Sequence, residues 1–215
     1  MRIGIIGTGN MANALGNLFL RAGHDLFFGS RDPKKGTAQA DTFGGGATGG
    51  TLQEAVAFGD TLLLAVPFPA AREILAAAGP IASKLTGKIL IDITNPLTPD
   101  FMALTIGHTT SAAEEIAALV PRARVVKAFN HLLAGMLKGG LPQATGPNKI
   151  SAFLCGDENL AKERVADLAR SIGLDPIDVG PLKNARYLEP TAELLIQAAY
   201  GQGLGPEIAL TLLRR

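Results

Sequence analysis

Short apolar runs along this chain alternate with longer stretches in which apolar residues recur every three or four positions. That is the pattern of strands crossing over through helices into a mostly parallel sheet. Arg2 to Ile6 is a buried-strand run. Met11 to Arg21 follows, with Met11, Ala14, Leu15, Leu18 and Phe19 on one helix face and Gly23 just past its end as a C-cap. Asp25 to Phe28 predicts a second strand, ending at Gly29-Ser30-Arg31. Pro33 to Ala40 predicts a helix, Gly44 to Gly46 a loop with the glycines up to Gly50 behind it, and Leu52 to Phe58 a short helix. Thr61 to Val66 is a strongly apolar strand stopped by Pro67, and Ala70 to Ala78 a helix. Lys88 to Ile93 is a strand stopped at Thr94-Asn95-Pro96. Ser111 to Val120 reads as a helix with Ser111 and Glu114 spaced as a capping box, and Arg124 to Ala128 as a strand ending at Phe129-Asn130-His131.

A Gly/Pro-rich stretch from Gly139 to Asn148 marks a boundary. Beyond it come a strand (Ile150 to Cys155), a helix (Asn159 to Ser171), a short strand (Asp175 to Val179) and a helical tail from about Leu182. Leu194, Leu195, Ala198 and Ala199 trace an apolar face in that tail, which could pack onto the first domain or onto a second copy. The expected fold is a Rossmann-type doubly wound α/β domain over residues 1–140. A smaller α/β domain over 141–215 is expected to supply the acceptor cleft and dimer contacts.

Composition narrows the class. The 215 residues are 47% hydrophobic and 18% charged, with a net charge of +1. A chain this apolar buries a core rather than staying disordered. Its balanced charge lacks the basic excess that nucleic-acid binding needs. No stretch approaches the ~20 apolar residues of a membrane span, and Gly7, Gly9 and Asn10 interrupt the N-terminal run where a signal sequence would lie. The single cysteine, Cys155, forms no internal disulfide, falls in a buried-strand pattern and reads as a small core residue. A cytoplasmic protein is expected. Three scattered histidines and one cysteine give no metal-ligand spacing, and no G-x-S-x-G elbow supports hydrolase chemistry.

The 26 glycines are the remaining excess, and the first of them carry chemistry. Gly7-Thr8-Gly9-Asn10-Met11-Ala12 fits G-x-G-x-x-G/A directly between a predicted strand and helix, the context that turns a common pattern into a dinucleotide site. Gly7 permits the turn, Gly9 lets backbone approach a pyrophosphate, and Ala12 lets helix and strand pack closely. The helix N-terminus then offers unpaired N–H groups and a positive dipole end to the phosphates. An NAD site would carry an acidic residue at the end of the second strand. This chain has Ser30 and Arg31 there, with Lys34 and Lys35 behind, a set that neutralises a 2′-phosphate and so predicts NADP; Asp32 reads as the next helix cap. Val66-Pro67-Phe68, Asn95-Pro96-Leu97 and Asn130-His131 each follow a strand, where ribose and nicotinamide would run. Asn95 or Asn130 could hydrogen-bond ribose or carboxamide, although Pro and Asn also simply terminate strands. No obligatory acid or base is assigned. Among the histidines only His131 lies at the sheet edge, able either to donate to an acceptor or to serve structurally.

With these residues assembled, the chain resembles the NADPH-dependent reductases of coenzyme F420, the 8-hydroxy-5-deazaflavin. The resemblance rests on Met1 to Ala12, Gly29-Ser30-Arg31, Val66-Pro67, Ser111 to Glu114, Val125 to Asn130, Cys155-Gly156-Asp157, and Gly180-Pro181-Leu182 with Asn184, Ala185, Arg186 and Glu189. It implies a homodimer and NADP held by Thr8, Gly9, Asn10 and Met11, with Ser30, Arg31 and Lys35 at the 2′-phosphate. It also implies hydride transfer between NADP(H) and the deazaflavin. The same domain resembles the cytoplasmic half of six-transmembrane metalloreductases, where the acceptor is a flavin such as FMN or FAD. Two alternatives are carried beside this reading. One is an imine reductase like pyrroline-5-carboxylate reductase, suggested by Gly9-Asn10-Met11-Ala12. The other is a non-catalytic NADP-binding sensor.

Overall fold

A computed structural model describes residues 1–76, 79–138, 140–141 and 149–213. Eight strands form one sheet, and burial under helices on both faces explains why the central strands, Arg2–Ile6, Thr61–Leu64 and Ile89–Asp92, are nearly continuous apolar runs. The chain alternates β1 (Arg2–Ile6), α1 (Asn10–Arg21), β2 (Asp25–Ser30), α2 (Pro33–Asp41), β3 (Ala47–Thr51), α3 (Leu52–Phe58) and β4 (Thr61–Leu64). It continues through α4 (Phe68–Ala76), α5 (Gly79–Lys84), β5 (Ile89–Asp92), α6 (Ala112–Leu119), β6 (Arg124–Ala128) and α7 (Ala134–Lys138). The last elements are β7 (Ser151–Gly156), α8 (Asn159–Ser171), β8 (Asp175–Asp178) and α9 (Ala185–Ile196).

The strand order is β3-β2-β1-β4-β5-β6-β7-β8. The first six strands run parallel, β7 pairs antiparallel with β6, and β8 runs parallel to β7. Because strand side chains alternate, the central strands feed two cores. Ile3, Ile5, Leu63 and Val126 pack with Leu15 and Val165 on one face, while Leu62, Leu64, Leu90 and Val125 pack with Phe68 and Ile116 on the other. The order turns at β1 and β4, so a crevice opens beyond their C-terminal ends.

The expected Rossmann-type α/β fold is present. Several boundaries differ, each for a physical reason. β2 runs on through Gly29 and Ser30, because Gly29 and Ser30 pair with Gly50 and Thr51 of β3. The glycines expected in a loop before Leu52 are partly strand. α2 lies so close on β3 that a Cβ on Gly49 would sit 2.0 Å from the Gly36 carbonyl oxygen, so glycine replaces the β-branched residues that usually signal a strand. The helix expected from Ala70 begins earlier, at Phe68, and its last two expected residues fall outside the described ones. α7 is five residues long, too short to show a period.

Most of the Gly139 to Asn148 stretch lies outside the described residues, and the strands after it extend the same sheet, β7 pairing with β6 and β8 with β7. In the tail, a 3-10 turn over Leu182–Asn184 leads into α9, which passes into a π turn over Gln197–Gly201. The apolar face read there divides: Leu195 and Ala199 are buried, whereas Leu194 is 66% exposed. Among the described residues no helix is long and apolar enough to cross a membrane.

Candidate functional site

The loop from β1 to α1 is shaped as the glycine pattern requires. Gly7 has φ +121°, and a Cβ there would lie 2.3 Å from the Ala65 carbonyl oxygen, so the turn excludes any side chain. A Cβ on Gly9 would meet nothing within 4 Å, which leaves open space over its backbone. Gly9 caps α1 without a side-chain hydrogen bond, and no acidic residue occupies the first turn. The helix therefore presents N–H groups and its positive end to that space, an arrangement fitted to a pyrophosphate. Ala12 is fully buried where the helix meets the sheet.

A cavity of about 250 Å³ lies beyond the ends of β1, β2 and β4. Gly7, Thr8, Ser30, Arg31, Lys35, Val66 and Pro67, all expected site residues, line it. Asp32 caps α2 by accepting from Lys34 N at 3.1 Å, which directs its carboxylate to the helix. Arg31 reaches Glu73 at 3.6 Å, with both side chains mostly exposed. Such a pair contributes little, so the guanidinium can turn to a phosphate at small cost.

A second cavity of about 480 Å³ opens at the first turn of α1, directly after that loop. Asn10, Met11, Asn95 and Asn130 line it, with Ile93, Leu132, Leu133 and Ile196 supplying apolar wall and Phe101, Met102 and Tyr200 at the loop and tail. The asparagines behave differently from expectation. Asn95 Nδ2 donates to the Asn130 carbonyl at 2.8 Å. Asn130 Nδ2 donates to Asn95 Oδ1 and to the Leu188 carbonyl, each at 2.9 Å. Both amide hydrogens of Asn130 and one of the two on Asn95 are thus taken up by a clasp between β5, β6 and α9. Asn130 Oδ1 is buried without a hydrogen-bond partner among the described residues, as are Thr94 Oγ1, His131 Nδ1 and Glu193 Oε2. Phe129, fully buried at φ 58°, makes the left-handed step that turns Asn130 into the clasp, and such strain concentrates at functional positions.

His131 lines neither cavity. Its ring is buried, with Nε2 2.9 Å from the Ser151 carbonyl, and burial lowers its pKa below the usual histidine value. The sequence left its role open between donor to an acceptor and structural group; here the ring nitrogen bonds β7. Cys155 is buried opposite Lys127 in the β6–β7 pairing, and burial pushes its thiol up to about 12.

Sequence reasoning assigned no role to the charged cluster beneath the clasp. Lys127 Nζ is fully buried, 2.9 Å from Asp92 Oδ2 and 2.8 Å from Glu189 Oε1, and it also donates to the Thr94 carbonyl. Asp92 Oδ1 accepts from Thr94 N at 2.8 Å, which ties the cluster to the backbone just before Asn95. Glu189 accepts from Ala112 N and Ala113 N at 2.9 and 3.1 Å, capping α6 from α9. Burial alone would lower the Lys127 pKa, but the two carboxylates outweigh it and hold the ammonium above an ordinary lysine. Burial raises Glu189 against the pull of Lys127. A signal existed in the chain: Asp92 and Lys127 both stand in strongly apolar strands, and the β5–β6 register sets them side by side. Among the described residues, no group of three His, Cys, Asp or Glu could hold a metal ion.

Residues 2–96 match the family described as NADP oxidoreductase, coenzyme F420-dependent. The F420-dependent NADP reductase of Methanothermobacter marburgensis is 30% identical over 211 residues, 91% of this chain and 91% of that protein. The chain belongs to the F420-dependent NADP reductase family. A crystal structure described as a candidate F420-dependent NADP reductase from Arthrobacter sp. FB24 superposes with a TM-score of 0.85 at 28% identity, covering 99% of each chain. The metalloreductase STEAP3 of Rattus norvegicus is 34% identical over 188 residues. That match takes in 87% of this chain but only 36% of STEAP3, so the chain spans about a third of that relative.

Proposed function

We propose that this reductase passes a hydride between NADP(H) and a planar ring acceptor of the deazaflavin or flavin kind. One observation carries the reading. The glycine loop and the first turn of α1 that follows it border two cavities of opposite character, a basic one at Thr8, Arg31 and Lys35 and an apolar one at Asn10, Met11, Phe101 and Tyr200. Arg31, Lys35 and Ser30 would take the 2′-phosphate, and the open N-terminus of α1 the pyrophosphate. Bound NADPH supplies a hydride from its nicotinamide ring, and the acceptor takes up that hydride with one proton from solvent.

The protein's part is alignment. Met11, Ile93, Leu132 and Leu133 exclude water, and the Asn95–Asn130 clasp fixes the ends of β5 and β6 that border the transfer space. Proximity and orientation can supply on the order of 7–11 kcal/mol of the barrier, so no side chain need act as acid or base. The relatives' names, F420-dependent reductase and metalloreductase, support transfer onward from NADPH. The test is to mix the protein with NADPH and follow cofactor absorbance with coenzyme F420, FMN, FAD and a ferric chelate in turn. Oxidation with at least one ring acceptor is expected. Oxidation with no ring acceptor would overturn hydride transfer to a deazaflavin or flavin.

A further inference from the structure

We infer that Phe101 and Tyr200 form an aromatic clamp on the flat ring of the acceptor, an assignment that rests on the proposed hydride transfer. Both line the apolar cavity, and both are left largely in water, Phe101 60% and Tyr200 59% exposed. Neither ring packs into a core cluster, so folding does not account for them. An exposed aromatic pair at the mouth of an apolar cavity is the usual sign of a binding surface.

Their backbones are unusual as well. Phe101 lies at the tip of a small hairpin in which Leu97 bridges Leu104, and it has φ 63°, a left-handed conformation that costs a bulky residue energy. Tyr200 stands in the π turn that extends α9, and π turns are concentrated at functional sites.

The two segments are also fastened to each other. Gln197 Nε2, in the π turn, donates to the Met102 carbonyl in the hairpin, and Glu193 Oε1 accepts from the same nitrogen at 2.8 Å. A Cβ on Gly201 would lie 3.2 Å from Met102 Cε. Within the hairpin, Asp100 Oδ1 accepts from the Thr98 hydroxyl and from Met102 N, and Thr98 N donates to the Ala103 carbonyl at 2.8 Å. The aromatics are thus carried on two short irregular segments that are tied together beside the cavity. Such a mount suits a ligand that offers a wide π face, a deazaflavin or flavin ring, and gives no grip on a metal chelate lacking one.

The experiment compares Phe101→Ala and Tyr200→Ala with the conservative Phe101→Tyr and Tyr200→Phe. NADPH affinity is read from cofactor fluorescence, FMN affinity from flavin fluorescence quenching with NADP⁺ present, and KM and kcat from NADPH oxidation with FMN and with coenzyme F420. The alanine variants are expected to keep the wild-type melting temperature and NADPH affinity. They are expected to raise Kd and KM for the ring acceptor about tenfold, with the aromatic replacements restoring them. Alanine variants that retain wild-type acceptor Kd and KM overturn the clamp and leave the proposed function standing. A wild-type protein that binds NADPH yet neither binds nor reduces FMN or F420 overturns both.

Discussion

Arg31 is the residue on which nucleotide choice turns, because it is the guanidinium that lines the basic cavity and its exposed partner Glu73 holds it weakly. Arg31→Ala is expected to weaken NADPH binding roughly 10–100-fold, the loss of charge-assisted hydrogen bonds, with NADH nearly unchanged. Equal losses for both, measured by fluorescence titration, would show that Arg31 does not read the 2′-phosphate. Cys155 makes a second residue-scale test. With its thiol raised to about 12 and its side chain buried, it should resist a thiol reagent in the native protein at pH 8 and react once the protein is unfolded. At this scale the nucleotide side was legible: Gly7, Ser30, Arg31 and Lys35 occur where strand-to-helix turns must place them. Asn95 and Asn130 were legible as positions but not as chemistry. Their amides could have faced a ligand, and which groups they pair with depends on the Leu188 carbonyl, contributed by α9 from 58 residues away.

At the scale of elements, α9 is bolted to α6 and the sheet by three contacts. Glu189 joins Lys127 and the α6 N-terminus, Arg186 grips Glu114 at 2.6 and 2.9 Å, and the Leu188 carbonyl accepts from Asn130. Lys127→Met leaves two buried carboxylates without their cation and should cost about 3–5 kcal/mol in denaturant unfolding. A loss near zero would mean that the cluster stays neutral without the lysine.

The Arg186 side chain lowers the Glu114 pKa, with Ser111 adding a hydrogen bond. A depressed carboxylate pKa contributes stability above the unfolded value of about 4.3, and that contribution is lost as pH falls through the folded value. Wild-type stability should therefore fall more steeply than that of Glu114→Gln as pH drops below about 4.3, followed by urea midpoints. Ser111 and Glu114 were legible as a capping box, but only half of it forms. Ser111 accepts from Glu114 N, while the Glu114 carboxylate turns to Arg186, a partner 72 residues away. β3 escaped the sequence reading because Gly49 is required by the approach of α2 and Gly50 by Glu54 and Phe27, not by strand propensity. Gly49→Ala should cost about 1–3 kcal/mol by overpacking, read from the same urea titrations.

For the molecule as a whole, the alternation of strand and helix patterns made the parallel sheet and its ligand edge legible, since both follow from local periodicity and right-handed crossovers. What lay beyond reach was the joining of distant segments. Phe101 and Tyr200 share one cavity only because the hairpin after β5 and the turn after α9 meet there. The central claim is direct transfer of hydride between rings aligned in that space. Its sharpest measurement uses NADPH deuterated at the transferring C4 position with coenzyme F420 in ordinary water, and mass analysis of the reduced deazaflavin. One deuterium retained on the product is the predicted result. Reduced product carrying no deuterium would contradict direct transfer.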